Sequence, residues 1–147
     1  MPDPSQGVPA PGTYLGIDFG RRRIGVAVGQ TTTATARPLA VIPNGAQPDW
    51  QALERLLREW RPAGIVIGLP LDADGADTPM SREARAFGRQ LGQRGACAVH
   101  YNDERLTSMA AQEQFRQRRS GGQARRADAA MLDAMAAAII LENWLQG

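Results

Sequence analysis

Lysine is absent from this 147-residue chain, and all seventeen basic residues are arginine. Against fifteen acids they leave a formal charge of only +2, with a pI near 9.3. So mild an excess marks a phosphate-binding surface only where several guanidinium groups converge, because guanidinium grips oxyanions bidentately at close range. Cysteine is nearly absent too. Cys97 stands alone, which excludes an intrachain disulfide and fits a reducing cytosol, so a cytoplasmic location is expected. Long apolar runs are missing, so no segment reads as membrane-spanning, and Met1 to Gly12 lacks the basic start and hydrophobic core of a signal peptide. Residues 1–12 read as a flexible tail ahead of a single domain over 13–147, which has room for one substantial core but not for two large lobes. Two metal patterns also fail. Asp72, Asp74 and Asp77 lack the spacing and closing glutamate of an EF-hand, and Cys97 and His100 fall on a short strand where residues three apart face opposite sides.

The arginines that are present do converge. One group, Arg21-Arg22-Arg23, follows the segment Tyr14 to Gly20; the other, Arg116, Arg118, Arg119, Arg125 and Arg126, precedes the last helical stretch. Each group adjoins an acid in apolar surroundings. Asp18 interrupts an otherwise apolar strand between Gly16 and Gly20, and a carboxylate buried there costs several kcal/mol (of order 1–5) unless a cation or hydrogen bonds compensate it. Glycines on either side let another backbone or a ligand approach and let the chain turn. Pairing with Arg21, Arg22 or Arg23 is the plain alternative for Asp18, but turn arginines tend to point into solvent.

Periodicity predicts strands at 14–20, 24–29 and 36–42, a helix at 49–60 with Trp50, Leu53, Leu57 and Trp60 on one stripe, and a strand at 63–69 apolar enough to be covered on both faces. A second helix starts at Pro79 with Thr78 as N-cap and closes at Gly92 and Gly95; a fifth strand covers 96–101. A helix then runs to about Arg118, a mobile stretch covers 119–126, and Asp128 caps a final helix at 129–145. That order predicts an α/β fold with a central mixed five-stranded sheet, antiparallel through its first three strands and parallel thereafter, with helices on both faces. Trp50 and Trp60 are expected to pack into the core rather than stack on bases.

In the final helix Asp133 shares a stripe with Ala136, Ala137, Ile140 and Trp144, so a mostly small apolar face is expected to lie close to the sheet with the carboxylate aimed inward. Asp103 and Glu104 end the fifth strand, and periodicity leaves both open as a third acid. Three carboxylates from a first strand, a later strand end and a terminal helix suit one or two divalent ions. Such ions offset the repulsion among the acids, activate water and stabilise a leaving oxygen, with a spacing of roughly 4 Å in two-metal sites. Oxygen-only ligation favours Mg²⁺ or Mn²⁺ over zinc.

The segments GIDFG at 16–20, GLPLDADG at 68–75, DERLTS at 103–108 and LDAMAAAIILENWL at 132–145 resemble, in order and spacing, the YqgF/RuvX family. The resemblance implies an RNase H-like fold, kinship with RuvC resolvases, and Asp18, Glu104 and Asp133 as catalytic, metal-binding acids, with Asp103 second to Glu104. It also implies nucleic-acid contacts from Arg21, Arg22, Arg23, Arg105, Thr107, Arg118, Arg119, Arg125 and Arg126. Asp72 stands where the family more often has asparagine, and Arg125 and Arg126 replace common lysines. The expected function is a metal-dependent nuclease on structured nucleic acid, either a four-way DNA junction or the 5′ end of precursor 16S rRNA. A junction resolvase calls for a two-fold homodimer; trimming RNA does not. Two other readings stand beside it. GIDFG with a basic hairpin also resembles the first strand pair of actin/Hsp70-type ATPases, against which the absence of a second lobe argues, and a binding module could keep the fold without catalysis.

Overall fold

The computed structural model describes residues 9–103 and 126–147. Strands β1 (Thr13–Phe19), β2 (Arg23–Gln30) and β3 (Thr35–Pro43) lead into helix α1 (Trp50–Trp60). Strand β4 (Gly64–Leu69), helix α2 (Pro79–Gly95), strand β5 (Ala98–Asp103) and helix α3 (Arg126–Gln146) follow. The sheet order is β3-β2-β1-β4-β5. β1 pairs antiparallel with β2 and β2 with β3, whereas β4 lies parallel to both β1 and β5. This is the expected mixed sheet.

Local chemistry sets the element ends. The Asp49 carboxylate accepts from the Ala52 amide at 3.2 Å and starts α1. Thr78 and Ser81 form a reciprocal capping box ahead of α2, with Pro79 at its first position. Two expectations need correction. Helix α2 ends at Gly95 as expected, but its cap is Ala96, which adopts the left-handed conformation (φ 50°), so β5 starts at Ala98 rather than at 96. Helix α3 begins at Arg126, so Asp128 lies inside its first turn rather than ahead of it. The expected helix to Arg118 and the stretch 119–125 lie outside the described residues, as do residues 1–8 of the expected tail. In the remainder of that tail, the Ala10 carbonyl accepts from the Tyr14 hydroxyl at 2.7 Å, and the Gly12 amide donates to Thr31 Oγ1 at 3.0 Å.

Strand alternation divides the core between two faces. Leu15, Ile17, Ile24, Val26, Ile65 and Ile67 point to one face and pack against Leu53 and Leu57 of α1 and Phe87 and Leu91 of α2. Tyr14 and Val66 point to the other and meet Ile140, Leu141 and Leu145 of α3. Every residue of β4 is buried, as its apolar run predicts. Both tryptophans of α1 pack against the first cluster. Trp50 lies between Phe87, whose ring centroid is 5.4 Å away, and the Arg94 guanidinium at 4.0 Å.

Candidate active site

Asp18 alternates with Tyr14 and Gly16, which places it on the α3 face, and its direct partner across the β1–β2 ladder is Gly25. Gly25 is the seat of the helix. A Cβ there would overlap the carbonyl group of Asp133 and come within 2.8 Å of the Ala134 amide nitrogen. Gly16, two residues back on β1, does the same one turn further along, where a Cβ would lie 2.7 Å from the Ala137 carbonyl oxygen. With no side chain intervening, α3 rests backbone to backbone on the hairpin, and Asp133 comes to the same end of the sheet as Asp18. Gly20 serves the other half of its expected role, since a Cβ there would meet the Arg23 carbonyl oxygen across the hairpin turn at 2.6 Å.

The carboxyl ends of the parallel strands meet at this end. Gly68 of β4 is in register with Asn102 of β5, and Leu69 with Asp103. Open α/β sheets bind ligands outside such ends. Asn102 faces α3 and donates through Nδ2 to the Ile140 carbonyl at 3.2 Å, tying the helix to the far edge of the sheet. Asp103 follows Val99 and Tyr101 in the alternation, and those two residues pack on the α1/α2 face. It therefore belongs to the face opposite Asp18 and Asp133.

The hairpin arginines divide. Arg21 donates through Nε and Nη2 to Glu83 of α2, at 3.0 and 2.7 Å. Arg23 donates from Nε to Oδ2 of Asp133 at 2.8 Å, with side chains 56% and 28% exposed. Of the hairpin arginines, Arg21 thus pairs with Glu83 and Arg23 with Asp133. Arg22 is exposed and has no side-chain partner among the described residues. Glu104, Arg105, Thr107, Arg118, Arg119 and Arg125 lie outside the described residues, and Arg126 opens α3. Among the described residues, no three acidic, histidine or cysteine side chains gather closely enough to hold a metal ion; Asp18 and Asp133 are the members of the expected triad that the description covers.

Neighbouring polar groups have local tasks. Asp72 Oδ1 accepts from the amides of Asp74 and Ala76, both at 2.9 Å, and so folds its own loop. Asp77 bonds to Ser81 and Arg85, which hold its carboxyl below the usual range. His100 sits on the α3 face against Trp144 and Tyr14, with ring centroids 4.7 and 6.5 Å away, and burial lowers its pKa below 6.5. A cavity of about 390 Å³ lies on the α1/α2 face beside Phe19, Trp50, Glu83 and Phe87. Phe87 there stacks on Trp50 and packs at a tilt against Phe19, with ring centroids 5.4 and 5.0 Å away. The role of Gly25 was missed in the sequence; its one visible signal was a glycine alternating with small residues in IGVAVG.

Three comparisons bear on this arrangement. The family described as "RuvX: Holliday junction resolvase" matches residues 12–147. A protein of Xanthomonas euvesicatoria pv. vesicatoria named "Putative pre-16S rRNA nuclease" is 53% identical over 135 residues, covering 91% of this chain and 87% of that protein. A protein of the same name from Xanthomonas oryzae pv. oryzae is 51% identical over the same shares of both chains. Among solved structures, Thermus thermophilus RuvC in complex with a Holliday junction substrate superposes with a TM-score of 0.53 at 16% identity, covering 87% of this chain and 90% of that one. The fowlpox virus Holliday junction resolvase gives 0.54 at 15% identity, covering 91% and 98%. At such identities these two likenesses speak for the fold alone.

Proposed function

This chain belongs to the RuvX family, and from that premise we propose that it is a metal-dependent nuclease whose site is built from Asp18, Glu104 and Asp133. The observation that carries this reading is the seating of Asp133 on Gly25, the cross-strand partner of Asp18. Two acids 115 positions apart in the sequence share one sheet face because a helix backbone occupies the place of a missing side chain. The nuclease unit we propose is residues 13–147, working in the cytoplasm; no described helix is long and apolar enough to cross a membrane.

The donor set fits Mg²⁺ or Mn²⁺. Carboxylate oxygens are the ligands these hard ions take, and the Arg23 guanidinium beside Asp133 already stands where a positive charge is favoured. When bound, such an ion lowers the pKa of a water molecule and stabilises charge on the leaving oxygen. The protein's part is positioning. Asp18 is fixed by the ladder, Asp133 by the contact of α3 with Gly25, and Arg22 is the hairpin arginine left open to a phosphate. Asp103 falls on the face opposite Asp18 and Asp133. That favours Glu104 as the third acid.

For substrate we favour the 5′ end of precursor 16S rRNA over a four-way DNA junction, because the relatives more than half identical over nine-tenths of this chain carry that name. This reading makes no demand for a two-fold dimer. The test incubates 5′-extended 16S rRNA and a four-way DNA junction with Mg²⁺ or Mn²⁺ and with wild-type or Asp18→Asn protein. Cleavage of the RNA, lost in Asp18→Asn, is expected. Equal cleavage by both proteins would remove the site assignment, and cleavage of the junction alone would reverse the choice of substrate.

A further inference from the structure

We propose that Arg23 is the internal counter-cation of the carboxylate site: it holds Asp133 while no metal ion is bound and competes with the ion for that carboxylate, thereby setting the metal concentration at which the enzyme loads. The inference rests on the reading of Asp18 and Asp133 as metal ligands. Its ground is the placement of one side chain. Arg23 is the first residue of β2 and alternates with Gly25, so it lies on the α3 face, diagonal to Asp18 across the ladder and within a long side chain's reach of it. Its Nε meets Asp133 Oδ2 at 2.8 Å, and its terminal nitrogens have no partner among the described residues. A single contact at a half-exposed guanidinium is a loose hold, unlike the fork that arginine makes when it binds a carboxylate for good.

The chemistry follows from charge. Without a cation, the acids of the site repel one another, and a guanidinium on Asp133 relieves part of that repulsion. With a divalent ion on the same carboxylate, Arg23 becomes a positive neighbour of a doubly positive one, and must swing away or weaken the ion's binding. Removing the charge at Arg23 therefore strengthens metal binding and weakens the metal-free fold. A role confined to orienting Asp133 predicts the opposite for the metal.

The test measures Mn²⁺ affinity from the free-ion electron paramagnetic resonance signal, without nucleic acid and at fixed ionic strength. It uses wild type, Arg23→Gln, Arg23→Lys, Arg22→Gln and Asp18→Asn. Arg23→Gln should bind Mn²⁺ about three- to tenfold more tightly, Arg23→Lys should stay near wild type because the charge is kept, and Arg22→Gln should shift far less. Thermal melting supplies the second readout: added Mn²⁺ should raise the midpoint of Arg23→Gln by more than that of wild type. Unchanged or weaker Mn²⁺ binding by Arg23→Gln, while wild type binds in a manner lost in Asp18→Asn, overturns the competition and leaves the site intact. Wild-type Mn²⁺ affinity in Asp18→Asn overturns the site itself, and the inference with it.

Discussion

Both faces of the sheet are covered by helices, yet they are packed in different ways. Toward α1 and α2, Leu53, Leu57, Phe87 and Leu91 meet Ile17, Val26, Ile65 and Ile67, and large side chains hold helix and strand apart. Toward α3, Ala137 and Ala138 meet Ala27, while Gly16 and Gly25 admit the helix backbone itself. Burying a large side chain contributes about 1.5–3 kcal/mol, and a glycine or alanine far less. The first face therefore carries more of the stability, and the second trades buried area for proximity. The two described acids of the proposed site, Asp18 and Asp133, lie on the second face. Residues with no chemistry of their own decide where the chemistry sits.

Substitutions can pull that contrast apart. Phe87→Ala, on the α1/α2 face, should cost about 3–5 kcal/mol in urea unfolding while leaving Mn²⁺ affinity of the folded protein near wild type. Gly25→Ala should show the reverse emphasis. Its Cβ displaces α3 at Asp133, which should cost about 1–3 kcal/mol of stability but lower RNA cleavage on the order of a hundredfold, since a shift near 1 Å at a reacting group has that effect. Gly45, where an added Cβ meets nothing within 4 Å, is the matched control, and Gly45→Ala should do neither.

His100 gives the α3 face a pH dependence. Burial depresses its pKa in the folded state, so the unfolded chain binds the proton more readily, and the contribution is fully present above the unfolded value of about 6.5. It is lost as pH falls through the window below that value. Denaturation at pH 7 and pH 5 should show lower stability at pH 5, and His100→Phe should flatten the difference. The smallest effect belongs to Ala96, whose left-handed conformation suits glycine: Ala96→Gly should raise stability by roughly 0.5 kcal/mol in the same assay.

What could be read from the sequence was what neighbours in the sequence decide. The apolar run in β4, the stripe of α1 and the Thr78-Pro79 start of α2 announce themselves within a few residues, and Asp18 is conspicuous because its own strand is apolar. Asp133 was legible for a similar reason, through the small residues on its stripe. The seat at Gly25 was not, because it depends on which helix turn arrives there from 108 positions away. The Arg23–Asp133 pair spans 110 positions and was hidden in the same way. Asp103 and Glu104 look equivalent as letters; the register of β5 with β4 puts Asp103 on the face opposite Asp18, and Glu104 lies outside the described residues. Ala96 was missed because alanine carries no sign of a left-handed cap.

Asp18 and Asp133 come to one face because α3 rests on the glycines of β1 and β2. A crystal structure of the Mn²⁺-soaked protein would show whether that seating builds a metal site. Mn²⁺ should be held by carboxylate oxygens of Asp18, Glu104 and Asp133, with Arg23 withdrawn from Asp133 and Asp103 uncoordinated. Mn²⁺ bound by Asp103, or bound with Asp133 still paired to Arg23 and away from the ion, would contradict it.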